Sequence, residues 1–298
     1  MPKPPQNTVL PRRTLQELAA IYKLERTTRD VIVEGGGDKC LIEWFLGDND
    51  VENVVVYEIS SFQIDAQAVR KWGGENNNRG RVISLACEMD ATVGDRIYLT
   101  CIADTDLDTI LENRHNCKLL LLTDYTCMEM YAFNPTVLNK YLKLNHGHFP
   151  KPAKTVLAEI TPALEQLFLA RIVNFMLDLN LEAVAFERSC ELRTDGVHLD
   201  VRDYVGRYLS KNRKASGIGG FLSEMSKYEK RLTSDPRNQI QGHDFLNLLS
   251  WYIAQHKGFS RLQEEMLQRP LFTAAAESAR LRAEPLFEAL LSRLGNVV

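Results

Sequence analysis

Asp30-Val31-Ile32-Val33-Glu34-Gly35-Gly36-Gly37-Asp38 is the stretch on which the fold turns. Its three consecutive β-branched residues make an apolar run too short for a helix, and it reads as a buried strand. Three glycines then stop it in a tight turn. Asp38 is placed to cap the next element, and Lys39 to Leu46 reads as a helix. The opening unit is therefore strand, glycine turn, helix, with Glu34 at the point where the strand gives out.

Outward from that unit the pattern repeats. Residues 1–13 are a polar, Pro-containing arm, and Leu15 to Leu24 has helical apolar spacing. Val54-Val55-Val56-Tyr57 marks a second strand within 51–59, and Ile64 to Trp72 reads as a helix. Residues 73–80 have loop composition. Arg81 to Met89 fits helix or strand and leans to helix. Arg96 to Ala103 is a buried strand that runs into Asp104-Thr105-Asp106-Leu107-Asp108, and Lys118 to Thr123, which holds Leu119 to Leu122, is another, followed by Asp124. Apolar strands alternating with helices predict an α/β fold with a mostly parallel, Rossmann-like sheet. Ligands in such sheets bind beyond the carboxyl ends of the strands. Glu34, Asp104, Asp106 and Asp124 all come after a predicted strand.

After Pro150-Lys151-Pro152 the texture becomes mainly helical. A boundary near residue 150 divides the chain into 1–150, an α/β domain with its N-terminal arm, and 151–298, a mainly α-helical extension. Thr161-Pro162 reads as a helix start, and Thr194-Asp195-Gly196 as a turn in a mixed segment from 182 to 200. Helices are expected over Val201 to Leu209, Phe221 to Leu232, Gly242 to Gln255 and Leu271 to Leu294, the last as a core-packing helix pair or a partner-docking face.

The bulk properties narrow the function. The chain has 298 residues, 45% of them hydrophobic, with a net charge of -3. No broad cationic surface is available, so nucleic acid would have to be held by a local patch or through a metal ion. No apolar run reaches the roughly 20 residues that span a bilayer, and residues 1–13 lack the apolar core of a signal peptide. The six cysteines form no C-x-x-C pair, which favours reduced core cysteines in a cytoplasmic protein over zinc ligation.

The chemistry rests on carboxylates. In an extended segment residues i and i+2 project to the same side, so Asp104 and Asp106 are expected to offer hard oxygen ligands to one Mg²⁺ (or Mn²⁺). Glu34, from another strand, is a candidate further ligand or a general acid or base. Alone, an Asp-x-Asp is often a solvated turn, and the glycine turn matches neither nucleotide-cradling motif. Both features, each after an apolar strand, carry more weight together.

VIVEGGGDKCLIEWFL and IYLTCIADTDLDTIL resemble the glutamate and Asp-x-Asp motifs of TOPRIM domains. LLLLTDYTCMEMYAF and QGHDFLNLLSWYI resemble a branch that includes the effector nucleases of PARIS-type bacterial anti-phage defence. The likeness runs from about Asp30 to about Ile253. It implies a TOPRIM fold, a catalytic role for Glu34 and metal ligation by Asp104 and Asp106. Asp108 would extend the acidic patch, and Glu129 is either a further ligand or a structural acid at a helix end. The resemblance also implies a toxic nuclease cleaving RNA, specifically tRNA, held or released by an ABC-type ATPase partner, and a homodimer as the active form. A DNA nuclease of the overcoming-lysogenization-defect type and a non-catalytic metal- or partner-binding module are the alternatives; the former usually carries its own ATPase, and no Walker motif is present here.

Arg207, Lys211, Arg213 and Lys214 form a basic run with no acid among residues 207–214, suited either to nucleic-acid phosphates or to a solvated helix face. His243 is a catalytic candidate or a cap. His146 and His148 read as surface histidines.

Overall fold

The computed structural model describes residues 12–25, 27–72, 75–93 and 99–294. The chain divides into two compact units. The first comprises 1–104, 115–122 and 278–298, and the second 105–114 and 123–277. The division interleaves the chain and is not a single cut near residue 150. No helix among the described residues is long and apolar enough to cross a membrane.

The first unit begins with β1 (Arg13–Thr14), α1 (Leu15–Leu24), β2 (Arg29–Val33), α2 (Gly36–Asp48), β3 (Val54–Glu58), β4 (Phe62–Gln63), α3 (Ala66–Lys71), α4 (Asn78–Val93) and β5 (Leu99–Ala103). A short helix, α5 (Asp108–Leu111), comes next in the second unit, and the chain returns to the first for β6 (Leu120–Leu122). The main sheet has four parallel strands in the order β3-β2-β5-β6. The α/β, mostly parallel expectation is met. Val31, Ile32 and Val33 are fully buried, as both-face coverage of a parallel sheet requires. Leu18 and Tyr22 of α1 join Val82 and Leu85 of α4, Leu99 and Cys101 of β5 in one apolar core.

Local chemistry explains several boundaries. Thr14 and Glu17 form a reciprocal capping box that starts α1. The arm assigned to 1–13 ends in a strand, since Arg13 and Thr14 pair in parallel with Phe62 and Gln63, while residues 1–11 lie outside the described residues. The ambiguous segment 81–89 lies inside α4. That helix starts at Asn78, inside the expected loop, and takes in Gly80, where a Cβ would fall 1.9 Å from the Glu75 carbonyl oxygen. Only a glycine permits that approach.

In the second unit, α6 (Pro135–His146), α7 (Ala153–Met176), the hairpin β7 (Cys190–Arg193) and β8 (Gly196–Leu199), α8 (Val201–Lys211), α9 (Ile218–Glu229), α10 (Gly242–Ala254) and α11 (Glu264–Ala275) succeed one another in order. The turn expected at Thr194-Asp195-Gly196 closes the hairpin, with Gly196 at φ 131°. Pro162 does not start a helix. It lies inside α7, which begins at Ala153, and extensive burial of that helix offsets the amide hydrogen bond a proline cannot make. The expected C-terminal helix pair is divided: α11 belongs to the second unit, whereas α12 (Ser278–Leu281) and α13 (Pro285–Leu294) belong to the first. There Phe287 packs edge-on against Phe45 at 4.7 Å, and the Arg29 guanidinium donates to the Leu294 carbonyl.

Asp30 is a buried carboxyl within β2, and the Tyr22 hydroxyl donates to it at 2.5 Å. Burial raises its pKa, with the Tyr22 hydrogen bond acting in the opposite sense. A carboxyl whose pKa is raised on folding loses stability as pH climbs from its unfolded value through its folded value. Asp30→Asn removes that loss. The stability of the variant relative to the native chain, measured by denaturant unfolding, is therefore expected to increase as pH rises above the ordinary aspartate range of about 4, and a difference that does not change with pH contradicts the assignment.

Candidate functional site

In the first unit the carboxyl ends of β2 and β5 lie side by side in the sheet, because Ile32 pairs with Cys101. Each strand runs into an acid, Glu34 after Val33 and Asp104 after Ala103. The Asp104 main-chain N–H donates to Glu34 Oε1 at 2.8 Å. The start of α4 clasps both strand ends: Asn78 Nδ2 donates to the Glu34 carbonyl at 3.2 Å, and Arg79 Nε to the Asp104 carbonyl at 2.7 Å. Neither Asn78 nor Arg79 stands out in the sequence, where both fall in a segment of loop composition.

The glycine turn has a specific geometry. Asp38 accepts from the Gly35 N–H at 3.1 Å, so it organises the start of α2 as expected. A Cβ on Gly36 would lie 3.4 Å from Glu58 Oε1. Glu58 ends β3, paired with Val33, and is a further strand-end acid that sequence reading does not select. The signal is present, since Glu58 comes directly after the apolar run Val54 to Tyr57.

The second unit opens at Thr105. β5 has ended at Ala103, so strand alternation does not govern the Asp-x-Asp segment. Asp106 instead has a left-handed backbone, φ 52°, which Asp tolerates better than most residues. Its N–H donates to the Thr126 carbonyl at 2.7 Å, and its Oδ1 accepts from the Gln241 side-chain amide. Thr105 is tied to Thr123, with its N–H on Thr123 Oγ1 at 2.9 Å. Asp108 is buried at the start of α5 and accepts from Asn113 Nδ2 at 3.1 Å. Asp124 accepts from the Tyr131 hydroxyl at 2.7 Å.

Glu129 lies in a 3-10 turn, Met128–Ala132, and Gln268 of α11 donates to its Oε1 at 2.7 Å. Its other oxygen abuts Gly242, the first residue of α10, where a Cβ would fall 2.3 Å from Glu129 Oε2 and 2.9 Å from Cys127 Sγ. The segment Gln241-Gly242 thus touches two of the candidate acids, through an amide at one and through a missing side chain at the other. His243 points elsewhere: it is exposed and pairs with Glu264. Asp244 binds Arg171 through two 2.7 Å hydrogen bonds. Burial works against that guanidinium, but the Asp244 charge more than offsets it and the Arg171 pKa is raised.

The basic run clasps its own chain. Arg207 donates to Ser189 Oγ at 2.8 Å and to the Ala185 carbonyl at 2.9 Å. Lys211 donates to the Ala183 carbonyl and Lys214 to the Leu179 carbonyl. Arg213 has φ 57° just past the end of α8. Three of the four side chains therefore hold the irregular segment between α7 and β7. Of the two loop histidines, His148 is exposed, but His146 is half-buried. Its ring packs on Tyr141 and Phe259, its Nε2 shares a 3.1 Å hydrogen bond with the Tyr141 hydroxyl, and burial lowers its pKa. It is not the surface residue expected. All six cysteines are free thiols.

Among the described residues, no three or more His, Cys, Asp and Glu side chains form a ready-made metal cage. The donor set is nevertheless of the right chemical type for Mg²⁺. That ion takes one or two protein carboxylates and completes its octahedron with water and substrate phosphate. No protein-family model matches the chain, and no curated protein matches it in sequence.

Adding a methyl group at position 242 is expected to press on Glu129. Gly242→Ala should cost about 1–3 kcal/mol, as overpacking usually does. Glu129→Ala in the same chain should recover part of that loss, because the obstructing carboxylate is gone while Cys127 Sγ remains. Additive effects of the two changes in denaturant unfolding would show that position 242 is restricted by something else.

Proposed function

We propose that this chain is a metal-dependent nuclease of the TOPRIM type. The observation that carries the reading is the pairing of Glu34 and Asp104 at the carboxyl ends of two adjacent parallel strands, joined by a 2.8 Å hydrogen bond. In open α/β sheets that edge is where ligands bind. The sequence resemblance assigns Asp104 and Asp106 as ligands of Mg²⁺ or Mn²⁺, with Asp108 and Glu129 as further acids. The bound ion would supply Lewis acidity toward a phosphoryl oxygen.

The chain's own residues then have distinct tasks. Glu34, held by the Asp104 N–H, is the group that would take or give the proton at the attacking or leaving oxygen. Arg79 and Asn78 keep the two strand ends in place. Arg207 and Lys211, one turn apart on α8, and Lys214 just beyond its end are the side chains that would meet phosphates. Their carbonyl contacts give them a structural task as well.

The finer reading rests on the sequence resemblance. It is a toxic effector of anti-phage defence in the cytoplasm, cutting RNA, specifically tRNA, under the control of an ABC-type ATPase partner and active as a homodimer. A net charge of -3 suits a compact folded RNA, bound through few phosphate contacts, better than long duplex DNA.

Glu34→Gln should lower divalent-ion-dependent cleavage by about 10²–10⁴-fold, the usual worth of a general acid or base, with unfolding unchanged. Cleavage at the native rate in a folded Glu34→Gln protein, or in excess chelator, removes the reading. Incubation with tRNA and with plasmid DNA in parallel separates the RNA nuclease from the DNA nuclease.

The basic run has its own test. Lys211→Gln with Lys214→Gln keeps a donor for the two carbonyls and removes two charges. If the run contacts phosphates, the salt dependence of RNA binding should fall by about two units of slope. An unchanged slope assigns the run to holding the 179–185 segment only.

A further inference from the structure

We propose that Gln241 is a positioning residue for the cation site, fixing the Asp106 carboxylate before any ion arrives. The proposal rests on the metal-dependent nuclease reading and deepens it. Every contact it uses lies within the second unit.

The backbone of Asp106 is fixed first. Its left-handed conformation and the 2.7 Å hydrogen bond from its N–H to the Thr126 carbonyl define where its side chain begins. Thr126 is in turn bound to the segment that leads into α10. Its N–H donates to the Arg237 carbonyl at 3.1 Å, and its hydroxyl donates to the Ile240 carbonyl. The next residue is Gln241, whose amide donates to Asp106 Oδ1. Asp106, Thr126, Ile240 and Gln241 therefore close a ring of hydrogen bonds in which each member limits the others. Arg237 strengthens the same segment: it lies over the Tyr125 ring at 3.8 Å and binds Asp235.

Gln241 is also in an unusual local position. It is the N-cap residue of α10, yet its side chain makes no capping hydrogen bond to that helix. Glutamine is outside the group of short polar side chains that cap well. An Asn, Ser or Asp at 241 would serve the helix better, and a glutamine is long enough to reach Asp106 instead. An amide also suits the task electrostatically. It fixes one carboxylate oxygen without adding a positive charge that would compete with a cation, as Lys or Arg would. Gln268 makes the equivalent contact with Glu129, the acid against which Gly242 packs. Neutral partners that orient metal ligands typically contribute about 10- to 100-fold in affinity or activity.

The substitution Gln241→Asn separates positioning from stability. Asparagine is too short to keep the Asp106 contact but is a good N-cap, so it should leave the melting temperature equal or higher. Gln241→Ala removes both functions. Mn²⁺ binding is measured by electron paramagnetic resonance titration of the full chain, native and variant, alongside thermal unfolding. The native chain should bind Mn²⁺, and both variants should bind it about 10- to 100-fold more weakly. The Mn²⁺ concentration for half-maximal cleavage should move by the same factor. Native affinity in Gln241→Asn overturns the proposal, as does an affinity loss confined to the less stable alanine variant. Absence of Mn²⁺ binding by the native chain overturns the metal-dependent reading itself, and the proposal with it.

Discussion

The hydrogen bond from the Asp104 N–H to Glu34 Oε1 is the constraint on which the first unit's candidate chemistry depends. Both residues stand where a buried parallel strand has just ended, and main-chain groups there have lost their ladder partners. A half-buried carboxylate placed at that edge needs donors to offset its lost hydration. The neighbouring strand provides one, and it does so only because β2 and β5 are adjacent and in the register that pairs Ile32 with Cys101. The start of α4 completes the arrangement by holding the two carbonyls.

The second unit solves a related problem by other means. Asp106, Glu129 and Asp124 each accept from a neutral donor, the Gln241 amide, the Gln268 amide and the Tyr131 hydroxyl. The same unit also holds the ion pairs of Asp244 with Arg171, Glu159 with Lys151 and Asp235 with Arg237. Those ion pairs tie helices and loops together. A neutral donor orients a carboxylate while keeping its negative charge, which is the property an acid needs if it is to meet a cation or a proton.

The two helix starts that serve the candidate acids share a feature. Gly80 in α4 and Gly242 in α10 both sit where a Cβ would collide, with the Glu75 carbonyl in one case and the Glu129 carboxylate in the other. Close approach of backbone to backbone, or of backbone to carboxylate, is what places Asn78, Arg79 and Gln241 within reach of their partners. Neither glycine is at positive φ, so conformational freedom is not the reason for them. The reason is volume.

The amino-acid sequence by itself determined the strands. Val31 to Val33 and Leu99 to Ala103 are runs whose burial follows from composition, Leu120 to Leu122 is a strand with only its first residue fully sheltered, and the acids behind all three are marked by position. α1 was equally plain from the apolar spacing of Leu15 to Leu24, and the Thr14–Glu17 capping pair found at its start is local too. Only the tertiary structure decided the features that depend on distant partners. Pro162 is interior to α7 because burial along that helix outweighs one lost hydrogen bond. His146 is sheltered by Phe259, more than a hundred residues away. The Asp-x-Asp segment leaves strand geometry at Ala103, since Asp106 answers to Thr126 and Gln241 rather than to its own neighbours. Hydrophobic periodicity and capping act over a few residues and can be read from a linear pattern. Hydrogen-bond partners 70 or 135 positions apart, as for Asp104 with Glu34 and Asp106 with Gln241, exist only once the chain has folded.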